Sequence, residues 1–221
     1  FDHDAKACET WALQGGQMAT SLQALGSTCA RVVLAVFDTA GVLQVIEGPG
    51  GLLEGGAART FIDCSTGDPD ALQALSQRLA KRGAEVIEAP LSGSSQQIAE
   101  GQATLLLGGS AEAIARHDHL LRALATQRIH VGAAGMGARA KLATNLVLGL
   151  NRAALAEGMV FAERLGIAPE AFLALVLATP ARSDAALAKG QRMVRGEFAP
   201  QSRVHQHLKD VQLMLAAAQA A

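Results

Sequence analysis

The stretch "VGAAGMGARAKLATN" (131–145) places a lysine, Lys141, four residues before an amide, Asn145. On a helix that spacing puts both side chains on one face, and in a segment otherwise so apolar they need a polar partner or a cavity. Burial and a helix N-terminus both disfavour the charged amine, so Lys141 is a candidate general acid and base near neutral pH. A lysine snorkelling from an exposed helix start has the same spacing, and the residues alone leave both readings open. A second candidate lies in "EAPLSGSSQQIAEGQATLLLGG" (88–109), where Ser92, Gly93, Ser94 and Ser95 follow a strand. Their hydroxyls and backbone N–H groups form either a nest for a carboxylate or an ordinary polar turn.

Gly135, Gly137 and Ala140 have the G-x-G-x-x-A spacing of a dinucleotide-binding turn. Such a turn needs a strand before it, a helix after it, and then a second strand ending in an acid about 20 residues on. "RIHV" (128–131) and residues 138–165 supply the first two, and nothing supplies the third. These glycines are therefore expected to let the chain turn tightly from a sheet into a helix rather than to hold a pyrophosphate.

The elements that must position these groups are legible in outline. "RVVLAV" (31–36), "TFIDCS" (60–65), "AEVIEAP" (84–90) and "RIHV" are short, almost wholly apolar runs, the pattern of strands buried on both faces in a parallel sheet. Between them, Asp68 and Pro69 begin a helix, Leu72, Leu75 and Leu79 form its inward stripe, and Gly83 ends it. Ser110 caps a further helix with Ile114, Leu121 and Leu124 facing inward, and Trp11 is expected to pack on the sheet. After Gly137 no strand is expected. Residues 138–165 form one long helix, apolar nearly all round and so covered by other helices or a second subunit, and Pro169, Pro180 and Pro200 punctuate shorter helices. The fold class is a doubly wound α/β domain of Rossmann type (1–134) followed by an all-α domain (135–221).

Bulk properties narrow the function. A formal charge of −1 and 3% aromatics with no Tyr argue against nucleic acid as partner. No apolar run reaches the roughly 18 residues of a membrane span. Cys8, Cys29 and Cys64 lack metal-site spacing and read as reduced core residues of a cytoplasmic protein. The histidine pairs His117/His119 and His205/His207 read as solvated surface, and no metal is expected.

Together these segments resemble the β-hydroxyacid dehydrogenase family over essentially the whole chain. "FIDCSTGDP" is similar to its D-x-S-T segment, "EAPLSGSSQQIAEGQ" to its substrate loop, "GMGARAKLATN" to its catalytic helix and "HLKDVQL" to its K-D-L cofactor contact. The resemblance implies an NAD(P)-dependent oxidoreductase acting on a small hydroxy acid, with both ligands in a cleft between the domains. It makes Lys141 the catalytic lysine and Asn145, Ser92, Gly93 and Ser94 the substrate-binding groups. Cofactor contacts fall on Val36, Phe37, Gly41, Thr66 and Lys209. Asp2 falls at the end of a strand, where an acid would bind the adenosine ribose and favour NAD over NADP; His3, in place of an arginine, points the same way. "FDHD" reads as a strand end, so the glycine-rich phosphate turn is expected ahead of Phe1 and the family's last helices beyond Ala221.

Departures from the pattern are Glu88 for the commoner Asp, Ser94 for a glycine, and Thr144 for the first Asn of an N-N pair. The first two favour the glyoxylate/succinic semialdehyde reductase branch and hence small aldehyde acids. The family also implies a homodimer or homotetramer built through the helical domain. Rival readings are an imine reductase, a group that generally lacks the lysine, or a non-catalytic cofactor-binding adaptor on the same fold, whose members lose the lysine or carry basic and low-complexity extensions.

Overall fold

The computed structural model describes residues 1–199 and 204–220, and the chain forms two compact units, Phe1–Lys141 and Leu142–Ala221. The first opens with α1 (Ala5–Leu13) and α2 (Leu22–Thr28), followed by β1 (Arg31–Leu34), α3 (Thr39–Glu47), β2 (Thr60–Asp63), α4 (Pro69–Lys81), β3 (Glu85–Glu88) and β4 (Leu91–Ser92). It continues through α5 (Ser95–Ala99), β5 (Thr104–Gly108), α6 (Ala111–Arg116), α7 (Asp118–Leu124) and β6 (Gln127–Gly132). Helix α8 (Met136–Arg164) begins in the first unit and ends in the second, which adds α9 (Pro169–Ala178), α10 (Asp184–Val194) and α11 (Val204–Ala220). Pro200 lies outside the described residues.

Strands β1, β2 and β3 are parallel, with Leu34, Asp63 and Glu88 in one row at their C-terminal ends. Adjacent residues on β2 and β3 belong to different cores. Phe61 and Val86 pack with Val42, Ile46, Leu72, Leu75 and Leu79, whereas Ile62 and Ile87 pack with Leu105, Leu107 and Leu121. Side chains alternate across a strand, so a continuous apolar run is what a sheet covered on both faces requires. Helix α4 follows its sequence closely. The Asp68 carboxylate accepts from the N–H groups of Asp70 and Ala71, Pro69 occupies the first turn, and Leu72, Leu75 and Leu79 are buried. Each such leucine contributes about 1.5–3 kcal/mol.

The sheet is mixed rather than wholly parallel. After β3 the chain bends at Ala89–Pro90 into β4, and β5 runs antiparallel to both, pairing Gly108 with Glu88 and Leu105 with Leu91. Pro90 has no N–H to give the ladder, but its carbonyl accepts from Leu106. Strand β6 then lies parallel to β5. The "TLLLG" run of β5 is a strand that the sequence reading absorbed into its ligand loop, because a short apolar run has no period of its own.

Two further expectations are corrected. Trp11 is 57% exposed on α1 and lies against Gly16, where a Cβ would collide with its ring; it does not pack on the sheet. His117 is buried, its Nε2 2.9 Å from Glu85 Oε1 and 3.3 Å from Thr60 Oγ1, because the helix expected from Ser110 onward breaks there into α6 and α7. Within the single chain the apolar circumference of α8 is only partly covered by other helices: Leu146, Val147, Leu150, Val160 and Phe161 are exposed.

Candidate active site

Helix α8 starts in a way its own residues do not explain. The residue before its first turn, Gly135, has no side chain with which to cap it; instead the carboxylate of Glu88, at the end of β3, reaches across to it. Gly135 N–H donates to Glu88 Oε1, and Ala138 N–H donates to Oε2 at 2.8 Å. Two of the N–H groups that a helix start leaves unpaired are satisfied this way, and the negative charge sits at the positive end of the helix dipole. Glu88 is 1% exposed. Burial pushes its carboxyl above the ordinary value, and the bonds from Gly135 and Ala138 and the charge of Arg139 pull it part of the way back. Each oxygen already receives an N–H, so the geometry suits the ionised form.

The glycines of "GMG" serve this approach. Gly135 has φ +92°, a left-handed conformation that favours glycine. A Cβ on Gly137 would stand 2.9 Å from both Glu88 Cβ and the Leu106 carbonyl oxygen, and one on Gly108 would stand 2.6 Å from Gly137 N. Close packing of helix on sheet accounts for them. From this clamped start Ala138, Lys141 and Asn145 follow at i, i+3 and i+7, one face of the helix. Lys141 is 8% exposed, so it is not a snorkelling surface lysine.

At the C-terminal ends of β1 and β2 the predicted cofactor contacts come together. Val36 N–H donates to Ser65 Oγ at 3.0 Å, and Ser65 N–H to Asp63 Oδ1 at 2.9 Å. Gly41 N–H donates to Asp38 Oδ1 at 2.8 Å, capping α3. The amides of Val36 and Gly41 thus hold the loops in shape and are not open donors. Thr66 follows Ser65 in the same loop, and Phe37 is 43% exposed beside it in sequence to Val36. Gly67 approaches Thr39 so closely that a Cβ would lie 2.8 Å from its Oγ1.

In the predicted substrate loop, Ser92 ends β4 opposite Thr104, and Gly93 packs against Ala103, where a Cβ would meet the Ala103 Cβ at 3.0 Å. Ser94 caps α5: its Oγ accepts from Gln97 N–H at 3.2 Å, and its own N–H donates to Gln97 Oε1 at 2.8 Å. Its amide is therefore committed to the capping box.

In the second unit, Asn145 Nδ2 donates to Asp210 Oδ2 at 3.0 Å, and Lys209 Nζ lies 3.2 Å from Asp210 Oδ1. Both members of the Lys209–Asp210 pair are largely buried, so it is not a solvated surface pair. Asp2 is exposed, and its Oδ1 accepts from Asp4 N–H at 2.9 Å in the turn that leads into α1. Short acidic side chains that bond the backbone two residues on compete with strand formation, and Asp4 goes on to cap α1.

Sequence reasoning missed two groups, Glu88 and Asp210. Glu88 carried a usable signal, a carboxylate at the end of a buried apolar run, which must find donors somewhere. The donor set at the strand ends fits the nicotinamide side of a dinucleotide: a small-residue turn at Gly67, the Thr66 hydroxyl and an exposed aromatic at Phe37.

Comparison with known proteins follows the same lines. Residues 1–132 match the family model for the NAD binding domain of 6-phosphogluconate dehydrogenase, and residues 135–221 that for the NAD-binding region of NADP-dependent 3-hydroxyisobutyrate dehydrogenase. The chain is 30% identical over 207 residues to 2-(hydroxymethyl)glutarate dehydrogenase of Eubacterium barkeri, covering 92% of this chain and 68% of that protein. It is 27% identical over 217 residues to the cytokine-like nuclear factor N-PAC of Xenopus tropicalis, covering 98% of this chain and 41% of that protein. The crystal structure of a 3-hydroxyisobutyrate dehydrogenase from Salmonella typhimurium superposes with a TM-score of 0.85 at 26% identity, over 99% of this chain and 77% of that one. The chain belongs to the β-hydroxyacid dehydrogenase family of NAD(P)-dependent oxidoreductases.

Proposed function

We propose that the protein interconverts a short carboxylate-bearing aldehyde or keto acid with its hydroxy acid, with Lys141 as general acid and base. The observation that carries this reading is a buried Lys141 one helical turn before Asn145, on a helix whose start is clamped to the sheet. In the reductive direction Lys141 Nζ gives a proton to the carbonyl oxygen; in the oxidative direction it takes the hydroxyl proton. Bound NAD(P) supplies or accepts the hydride. Thr66, Phe37 and the backbone around Val36 would hold its nicotinamide side, and Lys209 is a further cofactor contact in this reading. The Asn145 amide, oriented by Asp210, positions the substrate beside Lys141. The Ser92 hydroxyl and the backbone at Gly93 take the carboxylate, and the Ser94–Gln97 capping box keeps that loop in shape.

Glu88 and Ser94 keep glyoxylate and succinic semialdehyde first among substrates. The exposed apolar side chains of α8 support a homodimer or homotetramer through the helical region. Among the described residues no helix is long and apolar enough to cross a membrane; three unpaired cysteines support a cytoplasmic location. The similarity to N-PAC supports a second, non-catalytic reading, against which Lys141 counts.

The test is oxidation of NADH and NADPH, followed by absorbance, against glyoxylate, succinic semialdehyde, tartronate semialdehyde and methylmalonate semialdehyde. Turnover of at least one acid is expected, with loss when its carboxylate is replaced by an amide. Cofactor binding without turnover of any acid would favour the adaptor reading.

A further inference from the structure

We propose that Glu88 is a positioning residue for the reaction: from the end of β3 its carboxylate sets the start of α8 and so fixes where the Lys141 amine sits. The inference rests on the reading of Lys141 as the proton-transfer group. Three observations carry it. The carboxylate is buried and receives two α8 N–H groups three residues apart, Gly135 and Ala138, which fixes both the first turn and its direction. The glycines on either side, Gly108 and Gly137, leave no room for a Cβ, so helix and sheet meet at backbone distance around this one side chain. Ala138 and Lys141 are one helical step of three apart on the same face, about 4.5 Å along the axis, so a shift of the clamp is transmitted to Lys141 with little slack. Neither Glu88 oxygen needs to touch substrate for this to hold.

A misplacement of about 1 Å in a reacting group costs about 10²-fold in rate. Glu88→Gln keeps the shape but presents an NH₂ to one of the two N–H donors, so the clamp loses a bond. With the active full chain and the acid found to be turned over, the variant is expected to lower kcat about 10²-fold while KM and cofactor affinity stay near wild type. The isotope effect with 4-deuterated reduced cofactor should rise as the chemical step becomes limiting. Glu88→Asp, which keeps the carboxylate, should recover much of the loss. A Glu88→Gln protein with wild-type kcat, or one whose loss lies wholly in KM, overturns the proposal. If Glu88→Gln does not fold, Gly137→Ala, whose Cβ would push on Glu88, decides: reduced kcat at unchanged KM supports the proposal and undiminished kcat overturns it. Lys141→Ala is measured alongside. Activity retained in that variant overturns the reading of Lys141, whereas an inactive Lys141→Ala beside a fully active Glu88→Gln overturns the role of Glu88 alone.

Discussion

Helices α4 and α8 both begin at the sheet, and both have a carboxylate on their first N–H groups, but the carboxylates come from different places. Asp68 caps α4 from the residue just before it, accepting from Asp70 and Ala71. Glu88 caps α8 from 47 and 50 residues away, accepting from Gly135 and Ala138. The first is exposed to solvent on one side and folds with its own turn. The second is buried and exists only once β3, β5 and α8 have assembled. The local cap makes a helix; the distant cap also places it, and α8 is the helix that carries Lys141.

That difference can be broken by mutation. Asp68→Ala should cost about 1 kcal/mol, as for other N-cap losses. Glu88→Ala leaves two buried N–H groups without an acceptor, each worth about 1–3 kcal/mol, so urea unfolding should show a loss of several times that of Asp68→Ala. Equal losses would mean that the distant cap is no more than another helix cap. Glycines sharpen the same contrast. Gly83 ends α4 with φ +67° and open space around it, so alanine there costs about 1 kcal/mol in backbone strain alone. Gly137→Ala must move Glu88 or the Leu106 carbonyl and should cost about 1–3 kcal/mol together with a fall in kcat, which Gly83→Ala should not cause.

A smaller effect should appear in the pH dependence of stability. Glu88 has its folded value raised by burial, so between the unfolded carboxyl value and that higher folded value the native state binds more protons than the unfolded one. Stability from this group therefore falls as pH rises through that window and is flat above it. Unfolding free energies across pH should show this slope in the wild type and lack it in Glu88→Gln; an identical slope in both would refute the assignment. The smallest effect concerns Cys64, beside the other buried acid of the row, Asp63. Burial first, and then the Asp63 charge, push its thiol up to about 12. Thiolate is the reactive form, so Cys64 should resist iodoacetamide at neutral pH in the native protein and react once it is unfolded; rapid native alkylation would contradict the burial.

What was legible in the sequence follows the same division. Helix α4 could be read from Asp68, Pro69, three leucines and Gly83 because every signal lies within one segment. The strands β1, β2, β3 and β6 could be read from apolar runs, and β5 could not, since "TLLLG" carries no period and its antiparallel course depends on the bend at Pro90. The Lys141–Asn145 pair stood out by helical spacing and by family motif together. The partner of α8 did not, because nothing near Gly135 in the sequence points to Glu88. Nor did Asp210, which links Lys209 to Asn145 across 65 residues.

The central claim is that Lys141 transfers the proton, and it is tested most directly by Lys141→Ala in the active protein. Circular dichroism and the affinity for reduced cofactor should be unchanged, while turnover of the preferred acid falls about 10²–10⁴-fold, the usual worth of a general acid–base group. Turnover near wild type with cofactor binding intact would contradict the account.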